Sequence, residues 1–413
     1  MIKRTIPLFL LLFLVSCMGQ YQGRKTNQIS TTMVSDSTKQ YRYNVDFLKK
    51  YTAVTELTAG NSSIAIVPGW QGRVITSTSE GDRGFSFGWI NQSLISSRKT
   101  LKHMNAFGGE ERLWLGPEGG QFAIFFKKGD DFTYNNWQTP AFLDTLPFQL
   151  AARTDSSVTF TYDTSLENYS GSPFTFRIER EVTLLSGEKV LRETGIDLQG
   201  VNFVAYGSLN RLINTGINEW KKESGLLSLW LLGMFNPSPS VVVVIPFRQG
   251  SDADLGIPVN DNYFGKIAPD RLKIERNNIY FRADGKSRGK IGIPPRRAAG
   301  VMGSYDFDNN ILTLLFAGVT AGKDYVNSSW QIQDNPYSGD AFNSYNDGPL
   351  ADGTQMGPFY ELETSSPGAA LKPGQSITHS QITVHITGKR NLLDAIVLKS
   401  LGTSLDEIEK VFR

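Results

Sequence analysis

Between residues 41 and 390, apolar and polar positions alternate in short runs, the period-two spacing of strands that bury one face. The alternation predicts strands at residues 63–68, 72–77, 121–126, 157–162, 174–184, 189–198, 240–246, 278–283, 310–316, 359–364 and 377–386. Turn pairs separate them, among them Pro68-Gly69, Gly119-Gly120, Ser186-Gly187, Asp284-Gly285, Asp347-Gly348 and Pro373-Gly374. Strands this short and closely spaced stack as antiparallel sheets. Helical spacing is confined to residues 46–51 and to residues 391–412, where Leu392, Leu393, Ile396, Val397, Leu401, Leu405, Ile408 and Val411 share a stripe interrupted near Gly402. Residues 220–235 are apolar and fit either element. With no internal repeat or linker, the expectation is an all-β, mainly antiparallel sandwich over residues 41–390, closed by a C-terminal helical segment at 391–413.

The N-terminus adds a destination. Lys3 and Arg4 precede an apolar run at residues 6–15, the length of a secretory leader and too short to span a bilayer. The run stops at Leu14-Val15-Ser16-Cys17, which resembles the bacterial lipobox. Residues 1–16 therefore read as a signal peptide, and Cys17 as the lipid-modified first residue of the exported chain. Cys17 is the single cysteine, so no disulfide forms and the exported domain stands on its core alone. Residues 17–40, polar and without periodicity, read as a flexible tether. The expected product is a monomeric lipoprotein of the bacterial cell envelope, held to a membrane by its anchor with its domain outside the cytoplasm.

Charge excludes one class of partner. Lys and Arg number 42 against 40 Asp and Glu, and Lys3 and Arg4 leave with the leader, so the mature chain is neutral. It has no basic stripe, which excludes nucleic acid. Three His limit His-based metal chemistry, and the chain carries no G-x-S-x-G, Walker, dinucleotide-binding or H-E-x-x-H motif. No metal and no cofactor are expected.

Two polar clusters depart from a packing-only pattern. The first is residues 103–120, HMNAFGGEERLWLGPEGG. If residues 110–115 are extended, Glu110, Arg112 and Trp114 share one face, and Glu111, Leu113 and Leu115 the other. Carboxylate, guanidinium and indole side by side suit a sugar, whose C–H face lies on an indole while charged groups bond its hydroxyls. Glu118 adds a third carboxylate. The second cluster is residues 357–374, GPFYELETSSPGAALKPG. Glu361 and Glu363 point one way, and Tyr360, Leu362 and Thr364 the other. Two carboxylates on one face are costly for packing and fit a wet cleft in which one Glu acts as base. The loop at residues 334–353 adds Asp340, Asn343, Asn346 and Asp347 as glycan contacts, without the spacing of a calcium loop. His379 and His385 fall on the polar face of their strand, about 20 Å apart and too far for one metal.

Together these clusters resemble the galactose mutarotase superfamily, the β-supersandwich of aldose 1-epimerases. FGGEERLWLGPEGG is similar to its Gly-Gly segment followed by an aromatic and a Pro, and ELETSSPGAALKPGQSITH resembles its late Leu-Glu-Thr strand and following Pro-Gly step. Over residues 41–390 the pattern resembles more closely an uncharacterised family of bacterial lipoproteins related to those epimerases. The resemblance implies a mutarotase-type β-supersandwich, a carbohydrate ligand, and Glu363 as the base. Two departures stand out. The superfamily has a His before a Gly-Gly pair where this chain has Phe107, and a second His where the region 210–218 offers Asn. The acid then falls to His103, Glu110 or Glu111, with Arg112 neutralising charge. The expected site is thus Glu363, His103 and Glu110 for catalysis, with Glu111, Arg112, Trp114, Glu118, Glu361, Asn346 and Asp347 binding substrate. Glu-based acid–base processing of a carbohydrate is the expected function; a non-catalytic glycan-binding lipoprotein, or a lyase or hydrolase on the same scaffold, are the alternatives.

Overall fold

The computed structural model describes residues 36–413; the expected signal peptide, Cys17 and nearly all of the expected tether lie outside the described residues. Three antiparallel sheets form the body. A three-stranded sheet runs Thr55–Ala59, Ser62–Val67, Arg73–Thr78 in spatial order. A five-stranded sheet runs Gly289–Ile293, Phe342–Asn346, Tyr360–Ser365, Ser228–Phe235, Arg112–Gly116. The largest sheet has ten strands, with Ser376–Thr387 and Asn202–Asn214 adjacent near its middle and Leu272–Glu275 and Gln149–Arg153 at its edges. The all-β, mainly antiparallel reading and the C-terminal helical segment both hold.

Burial explains the layering. Leu113, Leu115, Leu229 and Leu231 of the five-stranded sheet pack on Phe160, Ile178, Val204 and Leu212 of the ten-stranded sheet. Farther along the same interface, Leu362, Ile291 and Phe342 meet Val243, Ile279 and Leu315. The opposite face of the ten-stranded sheet is closed by the helices Arg390–Leu401 and Leu405–Lys410, through Leu393, Ile396, Val397, Leu401, Leu405 and Ile408. The run Val241–Pro246 is continuously apolar because both of its faces are buried: Val241, Val243 and Ile245 look inward, and Val242 and Val244 toward those helices.

Two expected strands are something else. Residues 189–198 were expected to be extended, yet Gly187–Thr194 is a helix. Ser186 caps it by accepting from the Lys189 backbone N–H, and Gly195 ends it in the left-handed region. Only Val190 within it is buried, so the apparent alternation did not mark a buried strand face. Residues 121–126 form turns, not a strand, and their ring side chains feed the core: Phe125 and Phe126 pack around Trp114, Trp137 and Trp330. Of the ambiguous stretch 220–235, Ser228–Phe235 is a strand buried on both faces.

Candidate active site

In an antiparallel sheet, residues directly opposite one another share a face. Across the five-stranded sheet, Lys290 faces Tyr345, Tyr345 faces Glu361, Asn343 faces Glu363, and Trp114 faces Trp230. Glu363 and Arg112 both lie opposite Leu232. One face therefore gathers Arg112, Trp114, Trp230, Lys290, Asn343, Glu361 and Glu363. It is the face turned away from the ten-stranded sheet, since Thr364, of opposite parity, bonds to that sheet through Gln381 and His379.

The charged groups on this face are locked in pairs. Arg112 donates to Glu361 Oε1 at 2.6 Å, and both are buried. Lys290 Nζ donates to Glu363 Oε2 at 2.8 Å, and the Trp230 indole N–H donates to the same oxygen at 2.9 Å. Glu363 is fully buried, and its other oxygen, Oε1, has no hydrogen-bond partner in the protein. One oxygen of this buried carboxylate is clamped and the other lacks a partner in the protein, the arrangement of an acceptor that a ligand hydroxyl could fill. The indole faces hold cations: Arg112 sits 4.4 Å from the Trp114 ring centre and Lys290 4.8 Å from that of Trp230.

Three more carboxyls border the pairs. Glu118 is partly accessible and interacts with Lys290, Glu363 and the indoles of Trp330 and Trp137. Asp340 is buried and accepts from the Tyr263 hydroxyl at 2.5 Å, and Asn343 donates to that hydroxyl at 3.2 Å. Asp347 accepts from Tyr345 at 2.6 Å. Burial favours the neutral acid at each. It raises Glu361 to about 7, the nearby Glu363 adding to the rise and Arg112 opposing it. It raises Asp340 to about 6 against the bonds from Tyr263 and Asn260, and it raises Glu118 and Asp347 as well. Burial works against the Lys290 ammonium, but Glu363 and Glu118 outweigh it and hold its pKa above the ordinary value. Lys290 is therefore a fixed cation rather than a nucleophilic amine.

These shifts set a pH dependence of stability. Glu361 and Asp340 lose their protons at lower pH when unfolded, near 4.5 and 3.8, than when folded. Between those values and about 6 to 7 the folded state binds more protons, so stability falls as pH rises through that window. Urea midpoints should therefore drop from pH 5 to pH 7.5, and Glu361→Gln should flatten that drop. An unchanged slope in the variant would remove Glu361 from the effect.

The structure divides the expected site residues. Glu361, Glu363, Arg112, Trp114 and Glu118 come together, with Asp347 at the Glu361 end. Trp114 is buried beneath Arg112 and donates its N–H to the Leu143 carbonyl, so it is a backing plate and not an open sugar platform. Asn346 lies opposite Tyr360, on the reverse face, and holds the turn at Gly285 and Ser287. His103 sits half-buried on a loop, its Nδ1 against the Trp137 carbonyl at 2.6 Å and its ring on Tyr134.

Glu110 and Glu111 lie elsewhere. Glu111 bonds Arg180 at 2.9 Å and Gln381 at 2.9 Å, and Glu110 bonds Ser77 and His385, all between the sheets. The expected face shared by Glu110, Arg112 and Trp114 fails because the regular strand begins only at Arg112. Before it, Gly108 and Gly109 adopt positive φ, where a Cβ on Gly108 would come 2.0 Å from the Trp89 carbonyl oxygen, and Glu111 pairs with Val74 of the three-stranded sheet. Parity counted across such a break is lost. His379 and His385 are buried beside Thr364 and Glu110, not on the face of Glu361 and Glu363. Sequence reasoning missed Lys290 as the clamp on Glu363; its one signal is a lone Lys in the strand Gly289–Ile293.

Residues 39–412 match a family described as a family of unknown function, DUF6786. The chain belongs to that family. No curated protein matches it. Similar solved structures include a putative aldose 1-epimerase from Escherichia coli K12, 11% identical, covering 82% of this chain and 99% of that one at a TM-score of 0.47. A galactose mutarotase-like protein from Lactobacillus casei, 11% identical, covers 81% of this chain and 100% of its own at 0.45. A putative mutarotase from Salmonella typhimurium, 12% identical, covers 81% and 94% at 0.41.

Proposed function

We propose that the protein binds a carbohydrate at the Glu361–Glu363 face and interconverts its anomers by acid–base chemistry. The observation that carries the reading is the contrast between two carboxyls on one strand face: Glu363 keeps an unpartnered oxygen, while Glu361 is raised to about 7 and holds a proton near neutrality. Glu363 Oε1 takes the proton of the anomeric hydroxyl. Glu361 gives its proton to the ring oxygen as the ring C–O bond breaks and the hydroxyl becomes a carbonyl. Rotation about the exposed carbonyl carbon and reversal of both transfers closes the other anomer and restores both carboxyls. Half-buried Trp330, beside Glu118, is the accessible indole for the sugar's C–H face.

Glu361 and Glu363 project from one strand and approach a ligand from one side. Cleavage by paired carboxylates needs groups that flank the glycosidic bond. This favours proton transfer at a free anomeric centre over hydrolysis. A calorimetric panel of free sugars tests the reading: binding of at least one aldose, with heat lost in Glu363→Gln or Glu361→Gln, supports it. Absence of binding across the panel, or equal turnover by Glu363→Gln, would remove it.

We also propose that Cys17 carries a lipid and tethers the domain outside the cytoplasm, on the strength of the basic, apolar and Leu-Val-Ser-Cys order of residues 3–17. Among the described residues no helix is long and apolar enough to cross a membrane. A palmitate analogue fed to expressing bacteria should label the wild type and fail to label Cys17→Ser.

A further inference from the structure

From exposed tyrosines and unpaired Lys and Arg side chains gathered where the folded unit Ser37–Arg413 begins, we infer that this face docks on an anionic phospholipid surface, that of the membrane holding the Cys17 anchor. The inference rests on the anchor reading above and adds a second contact with the same membrane.

The helix Tyr41–Lys49 buries Tyr41, Asn44, Val45 and Leu48. Tyr43, Phe47 and Tyr51 follow one another at four-residue spacing on its other side, with Tyr43 42% and Tyr51 36% exposed. The helix Gln92–Ser97 lies alongside. Gln92 donates to Asn44 at 2.8 Å, Ile95 packs into the same core, and the Arg98 guanidinium sits 5.5 Å from the Tyr51 ring centre. Residues 37–51 carry four Lys and Arg, and residues 91–102 three, against one acid, Asp46, in a mature chain whose charges balance. Arg42 reaches Asp46 and Asp82, and Lys49 reaches Glu56. Lys39, Lys50, Arg98, Lys99 and Lys102 are exposed and, among the described residues, make no ion pair.

A cluster of unpaired cations on a neutral protein is a local positive field, and an anionic leaflet attracts each of them within a Debye length of its surface. Tyrosine suits the same plane, with its ring at headgroup level and its hydroxyl in water. The reach of the chain selects the partner. Residues 18–36 join Cys17 to Ser37, and a chain spans at most about 3.5 Å per residue, so Ser37 stays within roughly 70 Å of the lipid. Ser37 leads directly into the helix that carries the stripe, which makes this the face nearest the anchor. Tethering also raises the local concentration of membrane, so a weak attraction per cation is enough to orient the domain.

The test is vesicle co-sedimentation of the full exported chain carrying Cys17→Ser, so that no acyl chain contributes. Vesicles of phosphatidylcholine with about 30 mol% phosphatidylglycerol are compared with phosphatidylcholine alone. The protein should partition onto the anionic vesicles only, and raising salt to about 0.5 M should release it. Adding Lys50→Gln, Lys99→Gln and Lys102→Gln together should weaken partitioning at least about tenfold. Tyr43→Ser with Tyr51→Ser should weaken it too. A control that neutralises the exposed Lys323, Lys372 and Lys399, which lie outside both segments, removes the same charge and should change it little. All the substituted side chains are exposed, and thermal melting checks that each variant folds. Equal association with both kinds of vesicle, association with neither, or equal loss in the two triple variants would overturn the inference. In each of those cases palmitate labelling of the wild type would leave the anchor reading standing. Binding to anionic vesicles by a protein that takes up no palmitate would remove the anchor and leave the surface.

Discussion

Glu363→Gln should slow anomer interconversion by about 10²- to 10⁴-fold, the usual contribution of a positioned general base. The amide keeps the size of the carboxylate, and its oxygen still accepts from the Trp230 indole. It loses the charge that pairs with Lys290 and the lone-pair basicity of Oε1. The variant should still fold, because Glu363 lies on the face of the sheet turned away from the ten-stranded partner, and the contacts between sheets run through Leu362 and Thr364 instead. Exchange between α and β anomers, read by NMR, checks the rate. Glu361→Gln should fall similarly, since a neutral amide cannot deliver a proton to the ring oxygen. If either variant keeps the wild-type rate, that residue has no part in the proton transfers.

The largest effect on stability belongs to Arg180. It is fully buried, donates to Glu111 at 2.9 Å, to Asn210 at 2.7 Å and to the Gly72 carbonyl at 3.1 Å, and so ties three elements together between the sheets. Arg180→Met leaves Glu111 as an uncompensated buried charge with only Gln381 bonded to it. The expected loss is about 3–5 kcal/mol, measured as a shift in urea unfolding. Adding Glu111→Leu should recover most of that loss, because replacing both partners by apolar groups removes the stranded charge. A small loss in the single variant would mean that Glu111 is neutralised in some other way.

Much of the layering was legible in the alternation, because each strand of a sandwich reports its own buried face locally. Pro173–Leu184, buried at every second position, is of this kind, and the costly polar face carrying Glu361 and Glu363 was legible too. The helix Gly187–Thr194 was misread because its N-cap, Ser186, also suits a turn between strands, and the Gly195 that ends it was passed over inside an expected strand. The site was half legible. Lys290 lies 73 residues from Glu363 in the chain and reaches it only through the register of two strand pairings, which no local pattern encodes. Glu110 was placed beside Arg112 and Trp114 by counting strand parity, and both Glu110 and Glu111 stood as acids in place of the superfamily's missing His. Their partners, His385, Arg180 and Gln381, come from distant strands and make them internal instead. Phe107, standing where the resembling superfamily has a His, stacks on Trp70 at 4.4 Å and closes a small core beside the three-stranded sheet.

The central claim is that sugar is held at the Glu361–Glu363 face, and a crystal structure of the protein with a neutral aldose bound tests it most directly. The account predicts a ring hydroxyl within hydrogen-bond distance of Glu363 Oε1, with Glu361 reaching the ring oxygen and the Lys290–Glu363 and Arg112–Glu361 pairs intact. Sugar bound elsewhere, with Glu363 Oε1 untouched, would contradict it.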